Sequence, residues 1–257
     1  MGTDSLIEWT QDTWNPVTGC TKISQGCAHC YAERLAKRLR AMGNPRYKNG
    51  FNLTLHYDLI GLPLRQKRPR MIFVNSMSDL FHEQIPIEFI SQVFDTMAAA
   101  PWHTFQVLTK RSDRLAAIAD RLNWSPNIWI AATVENQECA SRADDLREIP
   151  AKIRFLSCEP LLEPVELNLK GIHWVIVGGE SGPNARPMAE SWVLSIKDQC
   201  LTSGIPFFFK QWGGTFNKKG HNQALLNGKL YKEWPIQSFD GKMNSVSDDQ
   251  PVPLFLP

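Results

Sequence analysis

The sequence predicts an α/β fold in which a parallel sheet, covered by helices, closes fully or partly into a (β/α) barrel. Short apolar runs rich in β-branched and aromatic residues predict six buried strands, over 71–75, 104–108, 128–134, 153–157, 172–177 and 206–209. Between them, apolar residues at helical spacing predict helices over 86–100, 113–122, 137–147 and 190–203. Strands and helices that alternate in this way are typical of a parallel sheet.

The amino-terminal part adds a short strand over 16–19 and a helix over 28–42. In that helix we expect Leu35, Leu39 and Met42 to form the buried stripe. The stretch 43–70 is rich in Gly, Pro, Asn and basic residues, so we interpret it as an insertion before the next strand rather than a second domain.

The carboxyl-terminal part departs from the strand–helix pattern. Asn227 and Gly228 suit the two positive φ angles of a type I′ turn, which predicts a hairpin over 225–231. A polar tail containing prolines follows from about residue 239. We therefore expect a barrel domain over 1–214, and a hairpin and tail over 215–257 that pack on the barrel or extend from it.

Composition excludes several classes of protein. The 257 residues are 43% hydrophobic and 21% charged, which excludes disordered, collagen-like and coiled-coil chains. The longest apolar runs fall far short of the roughly 20 residues of a membrane helix, and no signal peptide is evident, so we expect a cytoplasmic protein without membrane contact. Six unevenly spaced cysteines do not indicate a disulfide scaffold.

Positive charge is concentrated near the amino terminus. The net charge is only +2, but residues 20–70 carry eleven Lys and Arg against two acidic residues, giving +9, and the remainder is −7. This asymmetry favours a polyanionic partner, such as nucleic acid or a nucleotide, bound through segment 20–70. The alternative is a solvated basic surface next to the cysteines.

Three cysteines lie close together, as Cys20-x6-Cys27-x2-Cys30, on a loop after the first predicted strand. Three thiolates suit a 4Fe-4S cluster in which one iron keeps an open position. The alternatives are a chance grouping of reduced cysteines and a zinc site, with a fourth ligand supplied by one of the other potential donors: His29, His82, Cys139, Cys158 or Cys200.

Polar residues follow nearly every predicted strand, at the end where a barrel keeps its active site. The alternative is that strand ends turn polar because loops begin there. The residues in question are Asn75, Ser76, Ser78, Asp79, Thr109, Lys110, Arg111, Thr133, Glu135, Asn136, Ser157, Glu159, Gly178, Gly179, Glu180, Ser181, Lys210 and Gln211.

A three-cysteine loop after strand one of a βα barrel resembles the radical S-adenosylmethionine enzymes. More closely, the chain resembles a phage- and prophage-associated family with a three-cysteine motif. The resemblance covers the chain to about Trp212 and depends on Ile7-Glu8-Trp9-Thr10, 14–20 (WNPVTGC), Cys27-x2-Cys30-Tyr31-Ala32-Glu33, 73–82 (FVNSMSDLFH), 106–111 (QVLTKR), 155–161 (FLSCEPL), 178–182 (GGESG) and 208–213 (FFKQWG). The chain departs from the broad radical pattern in two respects. That pattern has C-x3-C-x2-C spacing, whereas six residues separate Cys20 from Cys27 here. Its Gly-Gly-Glu element follows the second strand, whereas Gly178-Gly179-Glu180 follows a late one.

The resemblance implies a radical-S-adenosylmethionine-like fold with a 4Fe-4S cluster on Cys20, Cys27 and Cys30. The open iron would bind the amino and carboxylate groups of S-adenosylmethionine. On this reading Lys110, Arg111 and Lys210 meet substrate anions or assist proton transfer. The cofactor pocket is then formed by strand-end residues: Asn75, Ser76, Ser78, Asp79, Glu135, Glu159, Gly178, Gly179 and Glu180.

Three functions follow from these observations. The first is a radical enzyme that modifies or repairs bases in nucleic acid or a nucleotide and receives electrons from a donor. The second is a nucleic-acid-binding or assembly protein in which zinc or a cluster only fixes the loop to the barrel. The third is a metal-free barrel hydrolase that uses Glu and Asp at the strand ends.

Overall fold

The computed structural model describes residues 1–3, 5–215 and 224–235. Its seven-stranded sheet is parallel throughout, has the order β1-β4-β5-β6-β7-β8-β9 and curls into a half barrel. This confirms the predicted α/β class and partial parallel barrel. The strands are β1 (Asp12–Trp14), β2 (Val17–Thr18), β3 (Thr54–Leu55), β4 (Met71–Val74), β5 (Thr104–Thr109), β6 (Ile128–Thr133), β7 (Ile153–Cys158), β8 (Trp174–Gly178), β9 (Phe207–Gln211), β10 (Leu225–Leu226) and β11 (Lys229–Leu230).

Helices cover the convex face of the sheet, where the larger hydrophobic core lies. For example, Phe89, Val93 and Met97 of one helix are buried in that core. The predicted helices 113–122 and 137–147 are each partly 3₁₀, over Ala119–Arg121 and Gln137–Ser141. The α-helices are α1 (Tyr31–Ala41), α2 (Leu62–Arg65), α3 (Ile87–Ala98), α4 (Ser112–Ile118), α5 (Arg142–Arg147) and α6 (Glu190–Ser203).

A second, mainly aromatic cluster fills the concave face. The Trp9 ring lies 4.7 Å from Phe73 of β4 and 6.4 Å from Phe155 of β7, measured between centroids. Because two strands separate β4 from β7 in the sheet order, one side chain contacts both only where the sheet curls. Trp9 thus packs inside the half barrel.

The predicted short strand over 16–19 is present as β2, but it is not the first strand of the main sheet. The strand that pairs with β4 is β1, whereas β2 pairs with β3 in a separate antiparallel ribbon. Asp12 of β1 is fully buried, and Arg70 donates to both of its carboxylate oxygens at 2.8 and 3.0 Å. A buried ion pair breaks the apolar pattern by which strands are recognised in sequence, so β1 was missed.

Of the predicted buried stripe on α1, only Leu39 packs inward, partly buried against the cluster that contains Met77. Leu35 and Met42 are 39% and 69% exposed, and the buried residues are Ala32 and Ala36. The physical reason is that α1 packs on a small cluster with Met77, at the carboxyl end of β4, instead of on the main core. Helix α1 therefore leaves larger apolar side chains on its outer face.

The carboxyl-terminal hairpin is confirmed, since Asn227 and Gly228 connect β10 to β11 with φ angles of 50° and 75°. Leu226 is buried in the main core, and Lys232 forms an antiparallel bridge with Phe208 of β9. The hairpin thus packs on the half barrel. The predicted tail from about residue 239 lies outside the described residues. No helix in the described part is long and apolar enough to span a membrane.

Candidate functional site

The carboxyl ends of the strands surround a cavity of about 420 Å³. Of the residues predicted to hold the cluster, bind the cofactor or assist the reaction, all line this cavity except Glu135 and Gly178. The lining members of that set are Cys20, Cys27, Cys30, Asn75, Ser76, Ser78, Asp79, Lys110, Arg111, Glu159, Gly179, Glu180 and Lys210. Residues from six segments far apart in sequence thus meet where parallel strands end, as expected for a barrel site.

The three cysteines lie on a loop that follows β2 and leads into α1. All three thiols are free, only partly exposed, and line this same cavity. A cluster with an open iron uses three such soft donors, so ligation of a cluster by these cysteines stays a prediction. Among the described residues, no three His, Cys, Asp or Glu side chains converge closely enough to hold a metal ion.

The first of three carboxylate–arginine pairs that hold this loop joins Asp79 to Arg111. Asp79 Oδ2 accepts from Arg111 Nη1 at 3.2 Å, and its Oδ1 accepts from Thr109 Oγ1 at 2.7 Å. Arg111 in turn donates to Cys20 Sγ at 3.5 Å and to Thr21 Oγ1 at 2.9 Å. Burial lowers the pKa of Arg111, but Asp79 and Glu83 outweigh this and raise it, so the guanidinium stays charged.

The second pair joins Glu135, which follows β6, to Arg142 of α5. Arg142 Nη1 donates to Glu135 Oε2 at 2.8 Å, while Glu135 Oε1 accepts from the Ser24 hydroxyl and from Gly26 N at 3.3 Å. Burial raises the pKa of Glu135, yet the charges of Lys110 and Arg142 bring it below its usual value. Glu135 is therefore a buried carboxylate beneath the loop, not on the cavity wall.

The third pair joins Glu180, after β8, to Arg186. Arg186 donates to both Glu180 oxygens, at 2.5 and 3.1 Å, and to Gln25 O at 3.0 Å. His29 Nδ1 lies 2.9 Å from Glu180 Oε2. Burial raises the pKa of Glu180, but the hydrogen bonds from Arg186 outweigh it and lower the pKa to about 2.

These pairs link three strand ends to successive parts of the cysteine loop, at residues 20–21, 24–26 and 25–29. The structure therefore shows hydrogen bonds and ion pairs within the protein that position the loop, made by Asp79, Glu135, Glu180 and Arg111. Their direct contact with a cofactor or substrate stays a prediction.

Packing explains Gly178, the last residue of β8, and Gly179, which follows it. A Cβ on Gly179 would lie 2.0 Å from the Trp212 carbonyl oxygen, and one on Gly178 would lie 2.7 Å from Glu159 Oε1. The first site lets two backbone segments approach closely, and the second makes room for a carboxylate that lines the cavity. Backbone contact between these glycines and a cofactor is not required to explain them.

The two predicted lysines differ in their surroundings. Lys210 Nζ lies 2.7 Å from Glu159 Oε1, and Ser157 Oγ donates to the other Glu159 oxygen at 3.3 Å. Within the described part of the chain, Lys110 Nζ makes no hydrogen bond or ion pair; its residue lines the cavity, and its charge acts on the buried Glu135. Lys110 is thus the cation at this site that is best able to bind a ligand anion.

Sequence reasoning missed the apolar wall of the cavity, which includes Leu6, Ile7, Trp9, Phe73 and Leu108. No polar pattern marks such residues, and only their position inside the half barrel assigns them to the site. It also missed Arg142 and Arg186, because their pairing partners are set by the fold.

Some residues that line the cavity carry buried polar atoms without a hydrogen-bond partner in the part of the chain that the structure describes. Four buried side-chain atoms lack a hydrogen-bond partner in the described residues, and three of them, Trp9 Nε1, Asn75 Nδ2 and Thr133 Oγ1, belong to residues that line the cavity. Buried polar groups without partners are rare in native proteins. Their concentration here fits a site that takes a polar ligand.

The structure also bears on the fourth ligand that a structural zinc site would need. Among the candidates, His29 lines the cavity, whereas His82, Cys139, Cys158 and Cys200 do not. His29 Nδ1 is engaged with Glu180. That contact leaves His29 Nε2 available, and a carboxylate on the other ring nitrogen is typical of a metal-ligating histidine, so His29 is the candidate placed at the cavity to complete a zinc site.

Comparison with known proteins identifies a family but no annotated relative. No curated protein and no solved structure matches the chain. Residues 4–235 match the family described as "Protein of unknown function (DUF5131)". Since this match spans most of the 257 residues, the chain belongs to the DUF5131 family.

Proposed function

We propose that the protein is a radical S-adenosylmethionine-type enzyme with a 4Fe-4S cluster, acting on nucleic acid or a nucleotide. The observation that carries this proposal is that Cys20, Cys27 and Cys30, all free and partly exposed, line the same cavity as the polar strand ends. A cavity of about 420 Å³ is of the size that small-molecule and cofactor sites have.

In this proposal the three cysteines hold the cluster, and an electron donor reduces it. When bound, the cluster and S-adenosylmethionine supply one-electron chemistry that removes a hydrogen atom from the substrate. The protein's part is to position these groups and to keep water away from them. Arg111, Glu135 and Arg186 position the cysteine loop through the bonds described above.

The remaining wall residues divide the cavity by polarity. Asn75, Ser76 and Ser78 form a polar side after β4, where a zwitterionic cofactor is best accommodated. Trp9, Phe73 and Leu108 form an apolar side, which excludes water and suits the flat face of a base. Lys110 binds a substrate anion, and the Lys210–Glu159 pair is placed to donate or accept a proton.

A second candidate is a nucleic-acid-binding or assembly protein in which the metal only fixes the loop. It is favoured by the three carboxylate–arginine pairs, since a loop tied at so many points is well suited to a structural site. The two proposals differ in one respect: a structural site needs no open iron.

Anaerobic purification with iron and sulfide analysis tests the proposal. We expect about four iron atoms per chain, and an electron paramagnetic resonance signal of the reduced protein that changes when S-adenosylmethionine is added. Replacing Cys20, Cys27 and Cys30 together by Ala abolishes both, whereas Cys200→Ala, a buried cysteine away from the cavity, leaves them unchanged. Bound zinc, or a cluster indifferent to S-adenosylmethionine, would overturn the proposal in favour of the second candidate.

A further inference from the structure

The outer face of α1 carries an unusual combination of side chains. Tyr31, Arg34, Leu35, Arg38 and Met42 recur at intervals of three or four residues, so they share one side of the helix, and all are exposed. This face has apolar and aromatic groups next to arginines and has no covering element in the described part of the chain. Exposed apolar groups gathered on one face in this way are typical of interaction surfaces.

The charge of this helix favours an anionic partner. Helix α1 contains four cations and a single acid, Glu33, which is already paired with Lys22 and Lys37. Arg38 makes no ion pair or side-chain hydrogen bond among the described residues. Its guanidinium is therefore free to form bidentate hydrogen bonds, for which phosphate is a well-matched partner.

The position of α1 connects this face to the cavity. Cys30, Tyr31 and Ala32 line the cavity, so the helix begins at its wall. Tyr31 donates through its hydroxyl to Ser76 O at 2.5 Å, and Arg34 Nη2 donates to Ser181 O at 2.8 Å. Helix α1 is thus fixed to the loops after β4 and β8, and Tyr31 belongs both to the cavity and to the outer face.

The four cations at the end of segment 20–70 do not extend this surface. Arg65, Lys67 and Arg68 precede β4, at the amino end of the sheet and opposite the cavity. Arg70 is paired with the buried Asp12. The predicted basic segment is therefore not one continuous surface, since its end lies opposite the cavity and α1 adjoins it.

We infer that the outer face of α1 binds the backbone of a single nucleic-acid strand, with Tyr31 stacking on a base at the entrance of the cavity. This inference rests on the proposed nucleic-acid substrate and narrows it to a nucleotide within a strand. Arginines beside an aromatic ring are the groups that bind single strands. Because the target base must leave the stack to enter a cavity at the strand ends, a duplex must first release it.

Fluorescence anisotropy with a labelled 15-nucleotide single-stranded oligonucleotide tests the inference. Arg38→Glu is compared with Arg121→Glu, which makes the same charge change on an exposed residue after α4, at the other end of the sheet. We expect Arg38→Glu to weaken binding about tenfold or more at low salt, and Arg121→Glu by less than about twofold. Tyr31→Ala weakens binding at least about fivefold, while Tyr31→Phe, which keeps the ring, retains most of it.

The inference would be overturned if the native chain does not bind the oligonucleotide, or if both Glu variants weaken binding equally. Dimerisation that Arg38→Glu abolishes would also overturn it, because a second copy would then cover the face. Circular dichroism verifies that each variant is folded. The anisotropy measurement requires no cluster. If the iron and S-adenosylmethionine tests fail but the oligonucleotide still binds, the proposed reaction is overturned and the inferred binding surface is not.

Discussion

Arg111 Nη1 lies 3.5 Å from Cys20 Sγ, and the same nitrogen donates to Asp79 at 3.2 Å. A single buried guanidinium therefore connects a strand-end carboxylate to the first cysteine of the motif. Through this contact the half barrel positions the start of the cysteine loop without the help of a ligand.

Arg111→Gln tests that connection. Removing the guanidinium leaves the buried Asp79 carboxylate without its charged partner, which costs about 3 kcal/mol of unfolding free energy. We also expect less iron per chain, because Cys20 and Thr21 lose their contact with the sheet. Urea unfolding and iron analysis measure the two effects, with the exposed Arg121→Gln as control. Equal stability of the two variants would refute the prediction.

Glu135→Gln tests the second attachment point. The amide keeps the shape of the side chain but loses the charge that faces Arg142, so we expect a cost of about 1–3 kcal/mol. Hydrogen exchange of the Gly26 amide, which bonds to Glu135, should become faster. Glu138→Gln, an exposed neighbour, serves as the control and should leave exchange at residues 24–26 unchanged.

Gly179→Ala tests the close approach between the β8 and β9 ends. Because the added Cβ would lie 2.0 Å from the Trp212 carbonyl oxygen, the backbone must shift, at a cost of about 2 kcal/mol or more. Thermal unfolding should show a Tm lower by about 4–8 °C. Gly61→Ala, where a Cβ meets nothing within 4 Å, should change Tm little. An unchanged Tm for Gly179→Ala would show that this contact is not tight.

The pH dependence of stability should carry the signature of Glu180. Its folded-state pKa of about 2 lies below the usual 4.5, because hydrogen bonds from Arg186 outweigh the effect of burial. A lowered pKa contributes stability that is full above pH 4.5 and is lost as the pH falls toward 2. Glu180→Gln should therefore be less stable than the native protein at pH 7, with a gap that narrows below pH 4.5. A gap independent of pH between 2 and 7 would exclude this role.

Local sequence patterns were sufficient for much of the fold. The strands β4 to β9 are recognisable because a buried parallel strand needs a nearly unbroken apolar run, and the β10–β11 hairpin because Asn227-Gly228 tolerates positive φ. The sequence also predicts that most site residues lie together, because the carboxyl ends of parallel strands meet at one edge of the sheet.

What the sequence by itself determined, then, was the kind of elements, their order and the residues that meet at the cavity. Only the tertiary structure decided which partner each charge has. Asp12 pairs with Arg70, Glu135 with Arg142 and Glu180 with Arg186, and α1 packs through alanines against Met77 with its larger side chains outward. Such pairings depend on distances between side chains that only the fold sets, whereas strand and turn signals depend on neighbours along the chain.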